Sequence, residues 1–268
     1  TEYLVVFDVD STLIENEVIE LLAEVAGKRD EVAAVTERAM AGELDFEQSL
    51  IERVATLAGL PESVFADVQR RITITTGARE TIDAIQAAGG KVGAVSGGFN
   101  QLLTPLASIL NLNFARANQL EVVEGVLTGK VIGKIIDRNA KALALNEWSA
   151  ETGLQNTVAV GDGANDLEMM AQAQLGVAFN AKPIVREKAD VVIENFRPGV
   201  MDRLGLSYEK LSKINPRLIY LSITGYGANG PWSTRPGQDL LAQSMSGLPN
   251  LNGSQDDPPI AVGIALAD

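Results

Sequence analysis

The chain has 268 residues, 46% of them hydrophobic, enough for one large domain with a cap or for two modest domains. It contains no Cys and no His, which excludes disulfides, thiol catalysis, imidazole bases and zinc sites built from those ligands; carboxylates must therefore carry any metal and proton chemistry. A net charge of −13 argues against nucleic acid or an anionic membrane as partner, and no apolar run approaches the roughly 20 residues that span a bilayer, so a soluble, cytoplasmic protein is expected.

Along the chain, short apolar runs at 4–7, 92–95, 158–160, 176–179 and 191–193 read as buried parallel strands separated by helical segments. This alternation predicts an α/β fold, a doubly wound Rossmann-like parallel sheet. The first strand runs directly into Asp8-Val9-Asp10-Ser11-Thr12. A long helical insert follows: Val18, Leu21, Leu22 and Val25 form one apolar stripe, and Phe46, Leu50, Val54 and Leu57 a second, as expected of a small helical cap over about 14–75. The second strand leads into Ser96-Gly97-Gly98, the stretch 120–133 suggests a β-hairpin, and Lys141 follows in a helical segment. The third strand leads into Gly161-Asp162-Gly163-Ala164-Asn165-Asp166, whose glycines predict a tight backbone turn.

Acidic pairs at the ends of parallel strands sit where open α/β sheets build their sites. One carboxylate can act as a nucleophile while its neighbour gives a proton to a leaving alcohol and later takes one from water. Asp8 and Asp10 together therefore read as phosphomonoester hydrolysis, with Mg²⁺ as the hard cation that an all-carboxylate site favours. For Asp10 to be half protonated at pH 7, its pKa must rise by about three units, roughly 4 kcal/mol. Ser96 and the Gly97 N–H stand at a strand-to-helix turn suited to an anion.

The four motifs, in this order, resemble the haloacid dehalogenase superfamily. The resemblance implies that Asp8 attacks phosphorus, that Asp10 is general acid and base, and that Lys141 neutralises charge on the transferred group. It further implies that Asp8, Asp162 and the main-chain carbonyl of Asp10 hold Mg²⁺, with Asn165 and Asp166 positioning phosphate, water and Lys141. The segments 8–17, 43–54, 96–99 and 158–166 are similar to the phosphoserine phosphatases of that superfamily. By that resemblance Glu17 meets the substrate ammonium, Arg53 its carboxylate, and Met40 and Phe46 line the pocket. The implied substrate is the small phosphomonoester L-phosphoserine; the alternative within the class is another small phosphomonoester. Taken alone, Glu17 and Arg53 read as solvated helix charges.

Composition changes near residue 193. Residues 1–193 carry 16 basic and 28 acidic side chains, residues 194–268 carry 6 and 7, and seven of the ten prolines fall in the second part. A phosphatase domain is expected over 1–193 and a separate segment over 194–268. The segment resembles an interior piece of the family III CoA transferases, through Asn195-Phe196-Arg197-Pro198-Gly199, Gly225-Tyr226-Gly227 and Arg235-Pro236-Gly237-Gln238-Asp239. That resemblance aligns Asp268 with the aspartate that forms the acyl anhydride. Because the segment lacks the family's opening half, transferase activity is not expected; a transferase fragment or an assembly module stands as the other reading of this part. A homodimer is the possible assembly, and a turn-rich stretch is expected over 229–257.

Overall fold

The computed structural model describes residues 2–40, 43–227 and 229–233, with the side chain of Met40 outside that description. Asp268 and most of the turn-rich stretch 229–257 also lie outside it. The chain divides into two compact units, Thr1–Asp190 and Val191–Asp268.

In the first unit, β1 (Leu4–Phe7) is apolar and buried at every position, as a central parallel strand with both faces covered must be. It pairs in parallel with β2 (Lys91–Phe99) on one side and β5 (Thr157–Gly161) on the other, placing Phe7 opposite Ala94 and Val160. β3 (Phe114–Val123) extends the sheet beyond β2, and β6 (Leu175–Phe179) extends it beyond β5. β4 (Val126–Ile132) returns antiparallel along β3 through Glu124 and Gly125, both at positive φ, as a two-residue hairpin turn requires. The order is β4-β3-β2-β1-β5-β6, so the chain switches direction across the sheet on either side of β1. Segments leaving the carboxyl ends of β1, β2, β5 and β6 therefore share one edge.

The hairpin expected over 120–133 is present, but its first strand begins at Phe114. Phe-Ala-Arg-Ala-Asn-Gln has no apolar run to announce a strand; pairing with β2 holds it extended. Helix α7 (Arg138–Thr152) packs Trp148 flat against Phe114, ring centroids 5.2 Å apart. Gly93 of β2 makes room for that ring, since a Cβ there would stand 2.7 Å from the indole.

Among the described residues, the insert between β1 and β2 holds the helices α1 (Val18–Val25), α2 (Arg29–Met40), α3 (Phe46–Ala55) and α4 (Val64–Gln69), after which α5 (Ala78–Ala87) leads back to the sheet. The two chain crossings at its neck are joined by an antiparallel bridge between Ile14 and Ile74, with Thr75 N donating to Leu13 O at 3.0 Å. Val18, Ile19, Leu22 and Ala23 are the buried side of α1, while Leu21 and Val25 are half-buried, so the stripe is rotated slightly from the expected one. In the second stripe Leu50, Val54 and Leu57 are buried, each worth about 1.5–3 kcal/mol. Phe46 is only half-buried, which frees its ring for the cleft. This unit also contains α6 (Asn100–Ile109), α8 (Leu167–Gln172) and α9 (Pro183–Arg186).

The second unit contains β7 (Val191–Glu194), α10 (Val200–Arg203), α11 (Tyr208–Ile214) and β8 (Ile219–Ser222). β7 and β8 pair in parallel from Val191 opposite Ile219 to Glu194 opposite Ser222, with the two helices making the crossover that parallel strands need. The buried Glu194 carboxylate accepts from Phe196 N at 2.7 Å, turning the chain out of β7. Among the described residues, no helix is long and apolar enough to cross a membrane.

Candidate active site

Asp8 leaves the carboxyl end of β1 with its N–H still donating to Val160 O at 2.8 Å, so its backbone is fixed by the sheet. Its Oδ1 accepts from Val9 N at 2.7 Å and from Lys141 Nζ at 2.6 Å. Lys141 enters from the first turn of α7, a helix started by Asp137, whose carboxylate accepts from Ala140 N at 2.8 Å. Lys141 Nζ also donates to Asp166 Oδ1 at 2.7 Å, and Asp166 Oδ2 accepts from Gly163 N at 3.0 Å. Asp8, Lys141 and Asp166 are 4%, 0% and 0% exposed; charges so buried persist only when paired and hydrogen-bonded.

Burial pushes the Asp8 carboxyl well above its usual 3.8, with the Lys141 ammonium opposing it. Burial likewise pushes Lys141 down, but Asp8 and Asp166 outweigh that and raise it, so the ammonium stays charged. The glycines of the loop after β5 serve space rather than an unusual turn. Gly163 has φ −109°, open to any residue, but a Cβ there would overlap the Asn165 amide, and one at Gly161 would overlap the Asp166 carboxylate.

Beyond Asp8 the chain bends at Asp10 (φ −63°, ψ 131°) and Ser11, which is left-handed at φ 56°. Asp10 Oδ1 accepts from Val18 N at 3.4 Å, at the first residue of α1, and Ser11 Oγ donates to Glu17 Oε1 at 2.9 Å. Burial, then the charge of Glu17, pushes Asp10 up to about 7; burial, then Asp166, pushes Asp162 up to about 6. Asp8, Asp162 and Asp166 each present a carboxylate oxygen within 4.8 Å of the others, a grouping that could hold a metal ion.

Asp8, Asp10, Glu17, Phe46, Arg53, Gly97, Asp162 and Asn165 line one cleft of about 210 Å³. Lys141 and Asp166 reach its lining through Asp8 and Gly163. Ser96 stands just outside the lining, buried, with its Oγ accepting from Gly98 N at 2.7 Å. Met40 closes α2, its side chain outside the described residues. The Phe46 ring lies across Gly97, 3.1 Å from where a Cβ would stand. Arg53 is anchored by Nε donating to Ser49 O at 3.2 Å; burial pushes its guanidinium below its usual range, against the pull of Glu17 and Asp10. Among the described residues no ion pair joins Arg53 to Glu17.

Sequence reasoning missed Lys182 and the apolar walls Ile19, Leu50 and Phe99, all of which line the same cleft. Lys182 follows β6, and its N–H donates to Asp162 O at 2.9 Å. The available signal was positional: β6 neighbours β5, so the loop after it must meet the same edge.

Comparisons with known proteins match two families along the chain. The model of the haloacid dehalogenase-like hydrolases matches residues 5–171, and that of CoA-transferase family III matches residues 184–268. The chain is 54% identical over 188 residues to the phosphoserine phosphatase of Streptococcus thermophilus, covering 69% of this chain and 87% of that protein. It is 53% identical over 197 residues to the phosphoserine phosphatase SerB2 of Mycobacterium tuberculosis, covering 73% and 48%. To the phosphoserine phosphatase of Streptomyces coelicolor it is 54% identical over 211 residues, covering 78% and 52%, so it spans about half the length of these last two relatives. Among solved structures, a phospho-aspartyl intermediate analogue of phosphoserine phosphatase superposes with a TM-score of 0.67 at 45% identity, covering 72% of this chain and 93% of that one. A substrate-bound phosphoserine phosphatase complex gives 0.67 at 44% identity, covering 72% and 92%.

Proposed function

The chain belongs to the haloacid dehalogenase-like hydrolases, and on that footing we propose that it hydrolyses L-phosphoserine to L-serine and phosphate through a phosphoryl group carried on Asp8. The observation that carries this reading is one small cleft with Asp8 and Asp10 at its floor and Glu17 and Arg53 on the helical insert above. A phosphorylated amino acid needs that combination: a nucleophile for phosphorus, an anion for the ammonium and a planar cation for the carboxylate. The phosphoserine phosphatases at about half identity support it.

Asp8 attacks phosphorus while the bond from phosphorus to the serine oxygen breaks, and Asp10 gives its proton to the departing oxygen. Asp10, now a carboxylate, takes a proton from water as the water oxygen attacks the same phosphorus. Phosphate leaves and the Asp8 carboxylate is restored. Lys141 is already charged and aimed at Asp8, so it neutralises the phosphoryl oxygens without rearranging. Ser96 Oγ already accepts from Gly98 N, so its own proton is the one left to donate to phosphate, beside the Gly97 N–H. Asn165 positions the phosphate, and Phe46 encloses the amino-acid end.

The donor set fits Mg²⁺, since the grouped ligands are carboxylate oxygens and the chain has no softer His or Cys. Asp8 and Asp162 would hold it with the Asp10 carbonyl, whereas Asp166, with both oxygens engaged by Lys141 and Gly163, serves as support. When bound, the ion supplies positive charge that polarises the phosphoryl oxygens. The machinery named here falls within 1–193.

Phosphate release from L-phosphoserine, with and without Mg²⁺, tests the reading in wild type beside Asp8→Asn. Metal-dependent turnover that disappears in the variant is expected; a folded wild type that releases no phosphate overturns the proposal.

A further inference from the structure

The carboxyl end of β2 interrupts its own ladder. Val95 faces Arg116 and Phe99 faces Asn118, so the chain from 95 to 99 bulges out against only two steps of β3. Ser96-Gly97-Gly98, and Ala117 opposite them, thereby lose regular pairing across the β2–β3 ladder, a cost the fold must offset. Two side-chain amides do so. Asn100 clamps Ala117, its Nδ2 donating to Ala117 O and its Oδ1 accepting from Ala117 N, both at 2.9 Å. Asn118 does something different. Its Nδ2 donates to Gly97 O at 2.8 Å, while its Oδ1 accepts from Ile136 N at 2.8 Å.

Ile136 precedes Asp137, the residue that starts the helix carrying Lys141. Asn118, 1% exposed, thus ties the Gly97 peptide to the root of the Lys141 helix through one rigid amide. A buried amide with donor and acceptor both satisfied has no freedom to flip, so each end fixes the other. We propose that Asn118 is a positioning residue, holding the Gly97 peptide and the start of the Lys141 helix in register so that the Ser96–Gly97 anion subsite and the Lys141 ammonium converge on one phosphoryl group. This rests on the phosphatase reading, in which those two groups share the phosphate. Asn118 itself is absent from the cleft lining and acts only through the two backbone groups it holds.

Inorganic phosphate binding to the full chain with Mg²⁺, followed by calorimetry, tests it independently of turnover. Asn118→Asp keeps the acceptor for Ile136 N and loses the donor to Gly97 O; Asn118→Ser shortens the tie without adding charge; Asn100→Ala loosens the same bulge without touching Gly97. The expected result is a phosphate Kd at least tenfold weaker in both Asn118 variants at unchanged stoichiometry, with kcat/KM for phosphoserine down about 10²-fold, the usual cost of a misplacement near 1 Å. Asn100→Ala should keep a phosphate Kd near that of wild type. A lowered stoichiometry with wild-type Kd would mean that Asn118 only holds the fold together and would overturn the proposal. So would Asn100→Ala weakening phosphate as much as Asn118→Ser. A wild type that binds phosphate in this pattern without hydrolysing phosphoserine would sink the substrate reading and leave Asn118's role standing; a wild type that binds no phosphate would sink Asn118's role.

Discussion

The floor and the roof of the cleft are built on opposite principles. At the floor, Asp8, Lys141 and Asp166 are almost wholly buried and satisfy one another at 2.6–2.7 Å, with Gly163 N closing the network. On the roof, Glu17, just before α1, and Arg53, in α3, have no ion pair with each other among the described residues and share their cleft with Phe46. Groups that satisfy one another in the resting protein are organised before substrate arrives and contribute to stability as well as chemistry. Groups that do not are held ready for a ligand, and their contribution appears when it binds.

Removing the floor's cation should break this contrast most severely. Lys141→Met leaves two carboxylates buried without a counter-charge, which costs about 3–5 kcal/mol, and removes the charge facing the phosphoryl group, lowering kcat by about 10²–10³-fold. Thermal unfolding and turnover should both fall. Adding Asp166→Asn to that variant should recover stability without recovering activity, because the repulsion is relieved while the cation stays absent.

A roof substitution should separate the two properties. Arg53→Ala is expected to leave the melting temperature within a few degrees of wild type while raising KM for L-phosphoserine about 10–100-fold, the loss of one charged hydrogen-bonding contact. Hydrolysis of an aryl phosphate that lacks a carboxylate should change little. Equal losses on both substrates would mean that Arg53 supports the floor and does not read the amino acid. Glu17→Gln should behave similarly but also loosen Ser11, whose hydroxyl donates to that carboxylate.

The same contrast explains which residues were legible in the sequence. Asp8 and Asp162 announce themselves because each directly follows an apolar strand, with Asp10 two residues beyond Asp8, and strand order brings those ends together. Gly97 was legible for the same reason, but the inward turn of the Ser96 hydroxyl toward Gly98 N was not, since both lie in the bulge of β2, whose side-chain directions no pattern fixes. Lys182 lies in a loop without a motif, and only the placement of β6 beside β5 brings it to the cleft. Asn118 was invisible because its partners are backbone groups 21 and 18 residues away, which any residue type would have supplied. Strand β3 extends further back than the apolar pattern predicts for a related reason: its first half is held by pairing rather than by hydrophobicity.

The smallest expected effect lies at the start of α3, where the roof is anchored. Asp45 Oδ1 accepts from Gln48 N at 2.8 Å and Gln48 Oε1 accepts from Asp45 N at 3.1 Å, a reciprocal cap on the helix that presents Phe46 at its first position and Arg53 near its last turn. Asp45→Ala should cost about 1 kcal/mol of stability, read by denaturant unfolding. If roof residues act by waiting for the ligand, fraying this first turn frees Phe46 from its place across Gly97 while Arg53, two turns further on and bonded to Ser49 O, stays put. KM for phosphoserine should then rise only two- to threefold, corresponding to about half a kcal/mol, with aryl phosphate turnover unchanged. A kcat loss on both substrates would instead tie the cap of α3 to the floor and erase the distinction between the two ends of the cleft.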